Sequence, residues 1–374
     1  MMLSVTSQTA LNFTEMSVYF VSSWPPTKFV NKQQKLWFNF RWWLAFTLLL
    51  LFLLPLLNGV YVHHKHPVKM INAACLSAAT VQALLKMLIC RAQWPRLQML
   101  HSEMDKFIKN ADDLENKYIR KYIERGYIFH GFVTSSMYLV SLVFIIEPAL
   151  QSHQFPTDSV YPFRIQHEAI HIALYTQQIV ALFLVAAALS VDFQVAILLW
   201  FIGIKFEILG DLCERVSTNL ELDKCIIEHQ RILWYADQVQ RAVCFITFSA
   251  VATTTLGVVC GCLALLGNLP LAVKFRVANI VGNAATEIFI YAWPGDNIIT
   301  VSQEIGWKIY NCNWLAGSPK MVKNVMSIIQ RAQHPVTISI SGFIPSLSLQ
   351  YYTSFLSTTF SYFTTLRIIL SAAG

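Results

Sequence analysis

The chain alternates between long apolar runs and shorter polar stretches that hold nearly all of its charge. A helix needs about 20 predominantly apolar residues to cross a bilayer, and seven runs approach or exceed that length. They predict spans over Trp42–Val62, Met70–Cys90, Gly126–Ile146, Ile170–Ile204, Ala242–Leu266, Val277–Trp293 and Phe343–Leu366. The pattern therefore predicts an all-α membrane protein with seven transmembrane helices.

The polar stretches predict helices that extend beyond the lipid. Arg91 to Arg125 is densely charged with both signs, and Leu220 to Gln240 is a further polar helical stretch. The fourth span is longer than a bilayer requires and is expected to project as far as Arg215. Pro294-Gly295 is expected to end the sixth span, because proline and glycine are typical of helix termini.

The composition agrees with a membrane protein. Of the 374 residues, 55% are hydrophobic and only 13% are charged, whereas a soluble domain averages about 25% charged residues. The eight cysteines form no metal-binding pattern, and the first apolar run is too long for the core of a signal peptide. We expect no metal site and no cofactor.

The Lys and Arg residues indicate the orientation. If alternate connections lie on opposite sides, 21 of these residues fall on one side and six on the other, with Lys86 set aside. Positive charge collects on the cytoplasmic side, so the N-terminus is predicted to be cytoplasmic and the C-terminus extracellular. Asn12-Phe13-Thr14 is a glycosylation sequon that argues the other way, but the charge count outweighs it. This arrangement is the reverse of a G-protein-coupled receptor.

The last predicted span carries a row of hydroxyls on one face. The hydroxyl residues recur at spacings close to one or two helical turns; they are Ser346, Thr353, Ser357, Ser361 and Thr364. An uncharged span with one mildly polar face suits close helix packing or a water-filled path for a weakly selected ion. Periodicity alone favours packing.

Three charges fall inside the predicted spans. Lys86 lies near one end of its span and is expected to reach the membrane interface. Asp192 and Glu287 lie deeper and admit two interpretations, a proton relay or cation site, or bonding within the helix bundle, and we favour the second. A membrane transferase would need a His or paired carboxylates at the lipid boundary, which these residues do not supply. We therefore expect no enzyme.

The C-terminal third resembles the insect odorant receptor family. The matching segments keep their order and spacing over roughly 80 residues; they are Tyr291-Ala292-Trp293-Pro294-Gly295, Ser302, Ile309-Tyr310-Asn311, Trp314, Arg331-Ala332-Gln333-His334-Pro335, Gly342-Phe343-Ile344-Pro345-Ser346-Leu347 and Ser361-Tyr362-Phe363-Thr364-Thr365-Leu366-Arg367. The outer-loop segment Tyr161-Pro162-Phe163 is similar to the family as well. The remaining two thirds resemble it in layout more than in residues.

The resemblance implies a subunit of a heterotetrameric, ligand-gated, non-selective cation channel in the plasma membrane of olfactory neurons. The connection Lys205 to Arg241 is short, which implies an odorant-tuned subunit that works with the co-receptor. The implied units are residues 1–295 with six spans and the ligand pocket, 296–335 as a cytoplasmic anchor, and 336–374 with the pore helix. The alternatives are a gustatory-type channel subunit, which the Ser361-Tyr362 pair and Arg367 disfavour, and a receptor that signals through G proteins. No nucleic-acid partner is expected.

The family places its ligand among the outer halves of the second, third, fourth and sixth spans. A small volatile molecule suits an apolar cavity with few polar groups. The candidate contacts at that depth are Asn72, Cys75, Ala79, Met137, Tyr138, Ser141, Tyr175, Gln178, Ile179, Asn279, Ile280 and Asn283. For any one of them, ordinary packing is the alternative.

The family also places its pore constriction around the Ser-Tyr-Phe motif of the last span. By this resemblance Phe360 and Thr364 are the gate candidates, Thr353, Ser357 and Ser361 line the path, and Gln350 lies at the outer mouth. The alternative for the hydroxyl residues is bonding to their own helix backbone.

Overall fold

The computed structural model describes residues 16, 18, 21–26, 31–151, 155–266, 271–315, 317–340 and 343–373. In these ranges the chain is almost entirely helical, with no β-strand beyond an isolated bridge between Ile340 and Ile344. The helices are α1 (Lys32–Val62), α2 (Pro67–Ala92), α3 (Trp94–Lys109), α4 (Asp113–Gln151), α5 (Glu168–Leu189), α6 (Val191–Glu214), α7 (Asn219–Leu266), α8 (Leu271–Tyr310), α9 (Pro319–Ala332) and α10 (Leu349–Ala373). The all-α prediction is confirmed.

Five helical stretches among the described residues are long and apolar enough to cross a membrane. They are Lys32–Lys65, Lys69–Ala92, Asp113–Ile146, Glu168–Glu214 and Asn219–Cys262. Large apolar side chains on α1, such as Leu44, Leu51 and Leu54, point away from the bundle, as expected where lipid covers them. The count of seven spans stays a prediction.

The predicted fourth span is two helices that meet at Ser190. The Ser190 hydroxyl donates to the Ala186 carbonyl oxygen at 3.0 Å, a bond that often bends a helix. After this break, α6 runs through the middle of the bundle, where it is buried along most of its length and packs most extensively against α8.

Several helices are longer than their predicted spans, and α7 and α8 extend furthest. α7 joins the predicted polar helix Leu220–Gln240 and the fifth span in one helix of 48 residues. α8 has 40 residues and includes Pro294, so the prediction that Pro294-Gly295 ends the sixth span is wrong. A proline inside a helix loses one backbone hydrogen bond, but neighbouring packing makes this tolerable in membrane helices. At 1.5 Å per residue α8 is about 60 Å long, roughly twice the hydrocarbon thickness.

Gly295 has a different role from ending the helix. A Cβ atom at Gly295 would collide with the carbonyl oxygen of Leu347, just before α10. Leu347 is itself held by its amide, which donates to the Ile338 carbonyl oxygen at 2.7 Å. Only glycine leaves room for the chain to pass so close to α8.

The predicted seventh span begins too early. α10 starts at Leu349, so Ser346 of the predicted hydroxyl face precedes the helix. The Leu349 amide donates to the Asp296 carboxylate at 3.2 Å, and the Tyr351 amide donates to the Ser348 hydroxyl at 3.2 Å. These acceptors satisfy amides that a helix start leaves open, and the carboxylate suits the positive end of the helix dipole.

Candidate ligand cavity

A cavity of about 130 Å³ lies between α2, α4, α5, α7 and α8. Most of its wall is apolar and includes Leu76, Val140 and Phe144. The polar groups on it come from Gln82, Ser141, Thr253, Thr254, Asn283 and Glu287. An apolar cavity with few polar groups has the character of a small-molecule site.

Half of the predicted ligand contacts line this cavity; they are Cys75, Ala79, Met137, Ser141, Ile280 and Asn283. Cys75 and Ala79 are four residues apart on α2, and Met137 and Ser141 are four residues apart on α4. This spacing places both members of each pair on one helix face. The Ser141 hydroxyl is 3.2 Å from the Leu182 carbonyl oxygen, and the Asn283 carbonyl oxygen accepts from the Ser136 hydroxyl at 3.0 Å. Contact with a ligand stays a prediction for all six.

Two of the other predicted contacts hold the loop between α4 and α5 instead, which is the predicted second outer loop. The Asn72 amide donates to the Asp158 carboxylate at 3.1 Å. The Gln178 amide donates to the Ser159 hydroxyl at 2.7 Å and to the Tyr161 hydroxyl oxygen at 3.0 Å. We call these five residues the outer cap. It lies one helical turn from the cavity, since Asn72 precedes Cys75 on α2.

The remaining four predicted contacts have other surroundings. The hydroxyl of Tyr175 donates to the Ile145 carbonyl oxygen at 3.4 Å, and the amide of Asn279 donates to the Phe275 carbonyl oxygen at 2.9 Å. The ring centroid of Tyr138 lies 6.3 Å from that of Phe183. Ile179 is half-buried on α5. These four residues do not line the cavity.

Lys86 is fully buried, so the prediction that it reaches the membrane interface is wrong. Its Nζ lies 2.6 Å from a carboxylate oxygen of Asp192 and 2.6 Å from one of Glu287. The Tyr291 hydroxyl donates to the other Asp192 oxygen, and the Thr254 hydroxyl donates to the second Glu287 oxygen at 2.7 Å. We call these five residues the ionic cluster.

The ionic cluster joins four helices, α2, α6, α7 and α8. A charge at the centre of a membrane is costly unless it is paired, and each charged group here has an opposite charge within hydrogen-bond distance. The favoured interpretation of Asp192 and Glu287, bonding within the bundle, agrees with this geometry. Removal of Lys86 would leave two buried carboxylates without a cation.

The sequence indicates part of this cluster through the spacing of its polar residues. Gln82 and Lys86 are four residues apart on α2, and Glu287 and Tyr291 are four residues apart on α8. This spacing puts each polar pair on one face of an otherwise apolar helix. Gln82 also donates to the carboxylate of Glu287, and Thr254 and Glu287 belong to both the cavity wall and the ionic cluster.

α10 has one face that its own chain covers and one that it leaves open. Phe355 and Thr359 are buried, whereas the predicted path and gate residues Thr353, Ser357, Phe360 and Ser361 are exposed and Thr364 is half-exposed. The hydroxyls of Thr353 and Thr364 donate to carbonyl oxygens of their own helix at 2.9 Å, as the alternative interpretation held.

The position predicted for Gln350 does not agree with the predicted orientation. Gln350 is exposed in the first turn of α10, close to where Leu349 bonds to Asp296. A helix that leads to an extracellular C-terminus has its first turn toward the cytoplasm. The predicted orientation and the predicted position of Gln350 at the outer mouth therefore exclude each other.

The bundle of long apolar helices and the internal cavity define an all-helical membrane protein. The model of the family described as 7tm odorant receptor matches residues 66–360. The chain belongs to this odorant receptor family, whose members are receptors rather than enzymes.

Curated relatives are similar over part of the chain. Odorant receptor 10 of Aedes albopictus is 28% identical over 155 residues, which is 41% of each chain. Odorant receptor Or2 of Anopheles gambiae is 27% identical over 151 residues, 39% of each chain. Odorant receptor 9a of Drosophila melanogaster is 25% identical over 226 residues, 57% of this chain and 56% of the relative. The match thus spans about two fifths of the mosquito relatives.

Solved structures match over nearly the whole chain. The insect olfactory receptor OR5 from Machilis hrabei in complex with eugenol has a TM-score of 0.78 at 15% identity, covering 97% of this chain and 99% of that chain. Another structure of OR5 gives a TM-score of 0.79 at 16% identity, covering 96% and 97%. At this identity the likeness shows the fold.

Proposed function

We propose that the chain is the odorant-binding subunit of a heterotetrameric, ligand-gated, non-selective cation channel, formed with the odorant receptor co-receptor. It lies in the plasma membrane of olfactory sensory neurons, with seven spans, a cytoplasmic N-terminus and an extracellular C-terminus. The observation that carries the proposal is the two-sided α10. This helix uses Phe355 and Thr359 to pack against its own chain and leaves Thr353, Ser357 and Phe360 uncovered.

The uncovered face of α10 suits a pore shared between subunits. It combines hydroxyls with one large aromatic side chain, Phe360, and carries no charge between Leu349 and Leu366. Weak dipoles without a ring of carboxylates or carbonyls favour a path with little ion selectivity. In this proposal, Phe360 and Thr364 form the gate, and Thr353, Ser357 and Ser361 line the path.

The cavity is the proposed odorant site, with its six predicted lining residues as ligand contacts. The Machilis hrabei receptor was solved in complex with eugenol, and a small organic molecule is proposed for this chain as well. The cytoplasmic anchor is proposed over residues 296–335. There α9 buries Met321, Val325 and Ile328 on one face and leaves Met326 exposed on the other, which suits contact with neighbouring subunits.

The test is current recording in cells that express the chain with and without the co-receptor during exposure to volatile panels. We expect ligand-evoked cation current only with both subunits, and no change when G-protein signalling is blocked. Current that disappears under that block would contradict the channel proposal. So would terminal tags that both stain on the same side of the membrane.

A matched pair of cysteine variants tests the role of α10. In Ser357→Cys the thiol lies on the uncovered face, and we expect a charged thiol reagent to reduce the current. In Thr359→Cys the thiol is buried against the chain's own helices, and we expect no reduction beyond that of the wild type, which carries eight cysteines of its own. Equal sensitivity of the two variants would contradict the proposed pore face.

A further inference from the structure

The cavity ends on a polar floor formed by Gln82, Thr254 and Glu287. Each of these residues lines the cavity, and they are 4%, 3% and 4% exposed. The side walls above them are mostly apolar. Any ligand in the cavity therefore meets its strongest polar groups at this one end.

The hydrogen bonds of the floor already use its donors. Both the Gln82 amide and the Thr254 hydroxyl donate to the Glu287 carboxylate, and Lys86 donates to it from below at 2.6 Å. In the described part of the chain, no hydrogen bond reaches the Gln82 carbonyl oxygen, which has two lone pairs that can accept. The floor therefore presents acceptors to the cavity.

The hydroxyls on the side walls are also in use. Those of Ser141 and Thr253 bond to backbone carbonyl oxygens at 3.2 Å and 2.7 Å. Asn283 lies one turn before Glu287 on α8, and its oxygen accepts from Ser136 at 3.0 Å. Among the described residues, the N–H groups of the Asn283 amide donate to no acceptor. They are the donors on the wall that lie nearest to the floor along α8.

The charge of the ionic cluster and the size of the cavity restrict the class of ligand further. The ionic cluster pairs one ammonium with two carboxylates, Asp192 and Glu287, and this formal excess of negative charge disfavours an anionic ligand. The cavity volume is about 130 Å³, and an apolar cavity of about 150 Å³ holds benzene. The ligand body therefore has about the size of one six-membered ring.

We propose that the cavity selects a small neutral alcohol or phenol, whose hydroxyl donates to the Gln82 carbonyl oxygen, beside Glu287, and accepts from the Asn283 amide. A hydroxyl meets both demands, whereas a hydrocarbon meets neither and an ether can only accept. This inference deepens the proposed function, because it names the ligand class of the proposed odorant site.

The first test is binding, measured by titration calorimetry or ligand-observed NMR on the purified full chain in lipid nanodiscs. The probes are matched in shape: phenol with toluene, para-cresol with para-xylene, and cyclohexanol with methylcyclohexane, with para-methylanisole as an acceptor-only molecule. We expect each hydroxyl member to bind about tenfold more tightly than its methyl partner, the effect of one net hydrogen bond. Equal binding within the pairs, or no binding of any probe, would overturn the inference.

The second test locates the preference. Gln82→Met keeps the length of the side chain but removes both its acceptor and the amide that donates to Glu287, and we expect the tenfold preference to fall below about threefold. Gln238→Met makes the same change on α7, where the side chain donates to Asp237 at 3.1 Å outside the cavity, and should keep the full preference. A preference that survives Gln82→Met in protein that reaches the cell surface normally would contradict the assignment to the floor.

Binding and current separate the two proposals. Hydroxyl-selective binding without evoked current in the presence of the co-receptor would support the ligand class and contradict the channel function. Evoked current that treats para-cresol and para-xylene alike would support the channel function and contradict the ligand class.

Discussion

Polar groups lie near both ends of the cavity, and the two groups differ in the charge they carry. α2 contributes to both, with Asn72 in the outer cap and Lys86 in the ionic cluster, about 21 Å apart along the helix. The outer cap holds a loop through bonds that include a single charged group, Asp158. The ionic cluster joins three charges that are almost completely removed from water.

The comparison shows that burial determines how much free energy is lost when a polar interaction breaks. A neutral hydrogen bond near the surface contributes about 0.5–1.5 kcal/mol, and water can replace it when it breaks. A buried ion pair has no such replacement, so the loss of one partner costs about 3–5 kcal/mol. We therefore expect the cavity to open at the outer cap, and the floor to stay in place.

The largest effect is expected for Lys86→Met. This substitution leaves Asp192 and Glu287 facing each other without a cation, and we expect a loss of about 3–5 kcal/mol in the free energy of unfolding. Surface labelling should show little protein at the membrane. The triple variant Lys86→Met, Asp192→Asn, Glu287→Gln removes all three charges and should restore much of the surface signal. Normal expression of the single variant would show that the cluster is not essential.

A smaller effect is expected for Tyr291→Phe, which removes one donor to a buried carboxylate. A hydrogen bond to a charged group contributes about 1.5–3 kcal/mol, and the midpoint of thermal unfolding in detergent should fall accordingly. Tyr310→Phe is the control, because Tyr310 lies at the far end of the same helix and is exposed. Equal midpoints for the two variants would contradict the expectation that the buried Tyr291 hydroxyl stabilises the protein more than the exposed Tyr310 hydroxyl does.

At the outer cap, Gln178→Leu should have a local effect of about 1–2 kcal/mol, because it removes neutral bonds to the loop. Hydrogen exchange should become faster for amides of residues 155–161 and stay unchanged on α2 around Lys86. Gln177→Leu is the adjacent control, since the Gln177 amide donates to Leu48 on α1 at 3.0 Å and not to the loop. Faster exchange around Lys86 in Gln178→Leu would mean that the two ends of the cavity are coupled.

The smallest effect is expected for Asn72→Leu, which removes one bond to Asp158, about 1 kcal/mol or less. Protein at the cell surface should stay near the wild-type amount, while ligand dissociation, followed as the decay of current after wash-out, should become faster. A drop in surface protein comparable with that of Lys86→Met would contradict the comparison between the two ends.

Much of the fold could be predicted from periodicity, and the reasons for the errors are specific. Long apolar runs indicate helices because each helix satisfies its own backbone hydrogen bonds in lipid. Pro294 misled the prediction because a proline signals a helix end in water but is tolerated where neighbouring helices pack around it. The fourth span was predicted as one helix because the break at Ser190 depends on a single side-chain bond.

The site could be predicted only in part. Residues at the right depth, such as Cys75 and Met137, line the cavity because depth follows from position along a helix. The angular position of a residue around the helix axis decides whether it faces the cavity. Tyr138 and Tyr175 lie at other angles and do not line it. The partners of Lys86 lie 106 and 201 residues further along the chain, a separation that no local pattern in one sequence can reveal.

α8 connects the cavity to the beginning of α10 without an intervening loop. Glu287 and Asp296 lie nine residues apart on this one helix, about 13 Å along its axis. Pro294 lies between them, and α8 bends most easily there because one backbone hydrogen bond is missing. A movement of α8 at Glu287 therefore has two possible outcomes. Either Asp296 moves as well and displaces the Leu349 amide that it accepts from, or α8 bends at Pro294 and Asp296 stays in place.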